Sequence, residues 1–198
     1  MFERFPIPAG VRRFYRDTWH ADRPGRPGGH EGVDIAAPSG TPIEAVRAGR
    51  VVKVETNAES RCGLGVFIRV RLPNGGFELD GYCHMRAVPV VREREWVDAG
   101  EVLGVVGATG NATSTDRRGV RHEHPHLHFQ VESIPGRVRR NPFAELQAAE
   151  RAQEASPEYQ AARSAMVRRR GRRAVERELG AGWGMLLALG AFLYWRST

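Results

Sequence analysis

The stretch Arg121-His122-Glu123-His124-Pro125-His126-Leu127-His128-Phe129-Gln130-Val131 carries four of the chain's seven histidines and constrains the fold more than any other. From His126 onward, polar and apolar residues alternate with the period of two that marks a half-buried β-strand. That period sends His126 and His128 to one face, and Leu127 and Phe129 to the other. Two imidazoles side by side pack a core poorly and donate well to a metal. His122-Glu123-His124-Pro125-His126 also spells H-E-x-x-H, the zincin pattern, which works only where i and i+4 share a helical face. Pro125 lacks an N–H and clashes with a preceding helical turn. The zincin reading is therefore excluded, and Glu123 is not a general base.

Upstream the pattern is one of short strands between turn residues. Ile43 to Val46 and Val51 to Val54 flank Ala48-Gly49-Arg50, and Val66 to Leu72 and Phe77 to His84 flank the hairpin signal Pro73-Asn74-Gly75-Gly76. Val88 to Val91 and Val102 to Val106 flank Asp98-Ala99-Gly100-Glu101, and a polar loop from Thr109 to Arg121 precedes the histidine strand. The expectation is a mainly β protein with an antiparallel sandwich or barrel-like core. Residues 1–29, rich in Arg, Gly and Pro, read as an irregular lead-in along the domain surface. The core domain is expected over residues 30–142.

At Asn141-Pro142 the character changes, Asn suiting a helix N-cap and Pro the first turn. Residues 143–178, rich in Ala, Glu, Gln and Arg, predict a charged, exposed helical extension broken at Pro157. Residues 179–195 carry no charge and predict an apolar helix near the lower length limit for crossing a bilayer, which makes membrane contact an expectation. The N-terminus lacks a continuous apolar stretch, so no signal peptide is expected.

The chain of 198 residues has room for one ordinary domain and some extra. Its net charge of +7 rests on 29 Arg and the single Lys53. This reads first as a solvated surface and next as affinity for an anionic cell-wall polymer or membrane; no nucleic-acid partner is expected. A two-residue turn at Asn74-Gly75 would pair positions summing to 149, putting Cys83 opposite Val66. Cys62 and Cys83 are then expected to be free thiols, with Cys83 packed and not a metal ligand.

Candidate ligands come from three places: His30 with Asp34, His84 at a strand end, and His126 with His128. Zinc accepts nitrogen and oxygen donors in a tetrahedron, and a catalytic site keeps one position for water. His30, Asp34 and one of His126 and His128 meet that need. The other member and His84 are left to move protons or stabilise an oxyanion.

His30-Glu31-Gly32-Val33-Asp34 with Ala37-Pro38-Ser39-Gly40-Thr41-Pro42, Tyr82-Cys83-His84-Met85, Gly107-Ala108-Thr109-Gly110 and Pro125-His126-Leu127-His128-Phe129, in that order, resemble the lysostaphin/LytM-type zinc endopeptidases. The likeness runs from about Asp17 to Pro142. It implies the duplicated hybrid motif fold and hydrolysis of peptide bonds in bacterial peptidoglycan. By the same resemblance His30, Asp34 and His128 hold Zn2+, while His84 and His126 act on the water and the tetrahedral intermediate. The chain departs from the family in the longer insert Asn111 to His124, where Asp116, Arg117, Arg118, Arg121, His122 and His124 are expected to rim the cleft. An inactive wall-binding or virion-structural member is the alternative, disfavoured because all five expected His and Asp positions are kept. A wall-cutting enzyme without a signal peptide suggests phage origin: carriage on the virion tail, with tail proteins as partners, or residence in the host cytoplasm before release to the wall.

Overall fold

The computed structural model describes residues 1–23, 27–157 and 159–161. The expected apolar helix at 179–195 and most of the charged extension lie outside them. In chain order the elements are β1 (Val33–Ala36), β2 (Pro42–Glu44), β3 (Gly49–Glu55), β4 (Leu64–Arg71), β5 (Phe77–Met85) and β6 (Trp96–Val97). Then follow β7 (Val102–Val105), β8 (Thr113–Thr115), β9 (Arg121–Glu123), β10 (His126–Ile134), β11 (Arg139–Arg140) and the helix α1 (Phe143–Ala155). Strands β1-β10-β5-β4-β3-β6 form the main antiparallel sheet, with β11 on the far part of β10. Strands β2 and β7 make a second, small sheet. The mainly β, antiparallel expectation holds. Val88 to Val91 is not a strand; it buries Pro89 and Val91 and leaves Val88 and Val90 exposed. Conversely, the expected polar loop folds into the β8–β9 hairpin, which places His122 on a strand.

The β4–β5 hairpin corrects the register and, with it, the cysteines. Leu72 N donates to Gly76 O at 2.8 Å and Gly75 sits at φ +85°, so the turn has three residues with a left-handed glycine, not two. One extra turn residue moves every partner by one: Val66 faces Tyr82, and Phe67 faces Gly81. A bulge between Leu64 and Val66 then shifts the chain back, pairing Leu64 with Met85. Gly65 makes the bulge possible, since a Cβ there would lie 2.4 Å from Tyr82 O and 2.8 Å from Cys62 Sγ. The bend brings Cys62 over Cys83 at a Cα separation of 4.9 Å, and the two form a disulfide. The expectation of free thiols is overturned.

The lead-in, expected to run along the domain surface, enters the core. Phe2, Phe5 and Ile7 are buried in the core with Phe129, Val131 and Leu146. Glu3 and Arg4 N–H groups donate to Val46 O, and Glu44 N donates to Pro6 O. Gln153 of α1 accepts from Phe5 N and donates to Ile7 O. Asn141 caps α1 by accepting from Phe143 N at 3.0 Å. The helix is half in the core, with Leu146 and Ala149 buried.

A buried charge network joins these parts. Arg47, almost fully buried, donates to Asp80 through Nε at 3.0 Å and to Glu78 through Nη1 at 2.7 Å, and it also pairs Asp80 through Nη2. Arg140 donates to both oxygens of Glu78 and also reaches Glu145. Both guanidinium groups lie over the Phe2 ring. Burial works against the charge on Arg47, but its bonds to Asp80 and Glu78 outweigh it and hold the guanidinium protonated. Removing one partner of such a network strands the others in a dry interior. Arg47→Met is expected to cost about 3–5 kcal/mol of folding stability, read as a lower midpoint in urea unfolding.

Candidate metal centre and groove

Cross-strand register assembles the site. Asp34 on β1 faces His128 on β10, and His128 faces Cys83 on β5, so one row crosses three strands. The alternation expected for β10 is observed: Leu127, Phe129 and Val131 are fully buried, while His126, His128, Gln130 and Glu132 share the other face. His30 precedes β1 and is fixed by its backbone, donating to Ala21 O and accepting from His20 N. The result is a tight cluster. His128 Nδ1 lies 2.9 Å from Asp34 Oδ1, His30 Nε2 lies 3.1 Å from the same oxygen, and the two nitrogens are 3.0 Å apart.

Gly32 makes room for this. A Cβ on Gly32 would stand 2.5 Å from His128 Cε1 and 2.7 Å from Phe129 O. His84 reaches the same side by a different device. Simple alternation would point it away from Cys83's face, but its backbone is left-handed at φ +66°. Its ring therefore lies 4.8 Å from that of His126. His126 Nε2 is 3.6 Å from Asp34 Oδ1.

Each of the four rings has an oxygen acceptor on its far nitrogen. His30 Nδ1 meets Thr18 Oγ1 and O, at 2.9 and 3.3 Å. His128 Nε2 donates to Gln130 Oε1 at 3.3 Å, His84 Nδ1 to Thr109 O at 2.8 Å, and His126 Nδ1 to His124 O at 2.6 Å. Carbonyl and amide oxygens cannot donate, so they fix the proton on the outer nitrogen. The inner lone pairs of all four rings are thereby left for the site. Burial opposes ionisation of Asp34, but its close approach to the His128 and His30 rings outweighs it and holds its carboxyl far below the usual carboxylate range. His84 is pushed down to about 3 by burial and by the neighbouring His126 and His128, so it stays neutral. Burial lowers His128 as well.

Two imidazole nitrogens and one carboxylate oxygen, converging and oriented from behind, match the kind of donor set that catalytic zinc sites use. Among the described residues His30, Asp34 and His128 are the His/Cys/Asp/Glu group able to share a metal ion. The structure thus separates His128, in the cluster, from His126, at its edge. Cys83 is near but locked in its disulfide.

From the cluster a groove of about 750 Å³ runs along the exposed face of the sheet. Its floor includes cross-strand rows: Gln130, Phe67 and Lys53 in one, and Glu132 and Leu79 in the next. A second cavity of about 560 Å³ opens on the other side and shares Arg23, Asp34, Asn111 and His126 with the first. Arg23 Nη2 pairs Asp34 Oδ2 at 2.5 Å, leaving Oδ1 to the histidines. Of the insert residues expected to rim the cleft, only His124 lines a cavity, joined by Asn111, Ala112 and Glu123. Asp116 instead stabilises its own hairpin, accepting from Arg118 N and Val120 N.

Residues 28–142 match the profile of peptidase family M23. The chain belongs to family M23. The match ends where Asn141-Pro142 was expected to end it and starts somewhat after Asp17. Over 132 residues the chain is 33% identical to the DD-carboxypeptidase/endopeptidase Mpg of Neisseria meningitidis, covering 66% of this chain and 25% of Mpg. Over 124 residues it is 32% identical to lysostaphin of Staphylococcus simulans, covering 62% of this chain and 22% of lysostaphin. A zinc-containing peptidase from Vibrio cholerae is similar in structure, with a TM-score of 0.53 and 25% identity over 70% of this chain and 38% of that one. The chain thus spans about a quarter of the length of these curated M23 relatives. Several contributors to the M23 site escaped the sequence reading. Gln130 continues the alternation of His126 and His128 and was findable; Thr109 stood in the Gly107-Ala108-Thr109-Gly110 motif without an assigned role, and Thr18 and Arg23 carried no local signal.

Gly32→Ala is expected to push the His128 ring out of line and lower zinc affinity tenfold or more. Competition with a chromogenic chelator measures this, while circular dichroism reports whether the sheet persists.

Proposed function

We propose that this chain is a zinc-dependent endopeptidase that hydrolyses peptide bonds in bacterial peptidoglycan. The observation that carries the reading is the convergence of His30 Nε2, Asp34 Oδ1 and His128 Nδ1 at the centre of an open groove. Membership of family M23 and the named activities of Mpg and lysostaphin support it. Zinc held by those three atoms would polarise the scissile carbonyl and acidify a water at neutral pH. The groove floor takes the peptide in extended form across the cluster, and the rows of β10 and β5 side chains set its path. His126 Nε2, with its lone pair turned inward by the His124 carbonyl, accepts a proton from the attacking water and returns it to the leaving amine. His84, held neutral, orients that water by accepting from it at Nε2. The Cys62–Cys83 disulfide fits action outside the reducing cytoplasm, where such a substrate lies.

His30→Ala and His128→Ala are expected to lose both zinc and activity. His126→Ala keeps most of its zinc and loses about 10²–10⁴-fold in rate, the usual worth of a general base. Metal analysis and peptide release from purified sacculi read the two effects separately. Wall cleavage persisting in His128→Ala would overturn the reading.

A further inference from the structure

The lead-in contributes one side chain whose position folding does not account for. Phe14 is 69% exposed, although Phe2 and Phe5, from the same segment, are buried. A single exposed apolar residue is ordinary on a protein surface. Phe14 differs in being held in place and in what it faces. Its N–H donates to Ala36 O at 3.0 Å, and Ala36 N donates to its carbonyl at 2.9 Å, so its backbone is paired to the end of β1. Ala36 in turn faces His126 on β10.

Phe14, Ala36 and His126 therefore form a cross-strand row beside the one that carries Asp34 and His128. Residues paired in this way point to the same face of a sheet. Two strand spacings separate Phe14 from His126, about 10 Å, which is within reach of a residue flanking a bond cleaved at the cluster. The middle position of the row is an alanine, so the surface dips there. The dip is the second cavity, with Phe14, Ala36, Ala112 and Pro125 on its apolar side and Arg16, Arg23, Asn111 and Glu123 among its polar lining, and it includes Asp34 and His126 themselves. The apolar side, carrying the exposed Phe14 ring, gives an alkyl group a surface to bury against and offers glycine nothing.

We propose that Phe14 determines specificity: it closes a subsite that takes an alkyl-bearing residue, an alanine methyl, next to the scissile bond in preference to glycine. This rests on the endopeptidase reading above and deepens it, assigning the chain to alanyl cross-links and not to glycine bridges. Burial of one methyl group is worth about a fourfold preference, and the exposed Phe14 ring supplies apolar surface for it.

The test compares a muropeptide dimer cross-linked through D-alanine with the same dimer carrying glycine at that position, using the zinc-loaded full chain. The wild type is expected to favour the alanyl dimer about fourfold in kcat/KM. Phe14→Ala should bring the two dimers level, chiefly by raising KM for the alanyl one, with zinc content and melting temperature unchanged. Phe14→Leu should restore the preference, because it restores apolar surface. Equal cleavage of both dimers by the wild type, faster cleavage of the glycyl dimer, or a preference that survives Phe14→Ala would overturn the subsite while leaving the endopeptidase reading intact. If the wild type cleaves neither dimer and releases nothing from sacculi, the endopeptidase reading fails and the subsite falls with it.

Discussion

Everything at the site depends on the register of β10 between β1 and β5. Side chains alternate strictly along a strand, so a slip of one residue would turn His126 and His128 into the core and Leu127 and Phe129 toward solvent. The apolar side holds the register: Leu127, Phe129 and Val131 fill the core against Phe2, Tyr82 and Ile35. The geometry of the His and Asp cluster on one face is thus fixed by packing on the other. His30 and His84 stand outside this rule. One is placed by loop hydrogen bonds and the other by a left-handed backbone that breaks the alternation.

The lead-in and α1 make that packing possible. Without Phe2, Phe5 and Ile7 the core face of the sheet would lack part of its cover, and α1 is tied to those same residues through Gln153. Arg47, Glu78, Asp80 and Arg140 then join β5, β11 and the segment after β2 beneath the Phe2 ring. Segments distant in sequence meet at the edge of one sheet, and the site stands on the sheet they brace.

Much of this was legible in the chain. Alternation identified β10 and its two faces, Pro125 excluded a helix, and the ordered motifs pointed to five site residues that the fold gathers in one place. What could not be read depended on single turns and distant contacts. Whether the turn at Asn74-Gly75 has two residues or three decides the whole β4–β5 register, and the choice rests on one hydrogen bond between Leu72 and Gly76. The Gly65 bulge and the resulting disulfide follow from that choice. The burial of the lead-in was also hidden, because its Pro and Gly content marks irregular backbone and says nothing about where Phe2 and Phe5 go. The β8–β9 hairpin is built from polar residues whose pattern resembles a loop.

The disulfide has a consequence for metal chemistry. Cys83 faces His128 across the β5–β10 pairing, and Cys62 lies above it at the groove wall. As thiolates these sulfurs would be soft, anionic donors beside a site of two imidazoles and a carboxylate, able to add a further ligand and close the position that water needs. Bonded to each other, they can neither ionise nor bind a cation. Oxidation of this pair therefore removes two soft donors from beside the His30, Asp34 and His128 cluster.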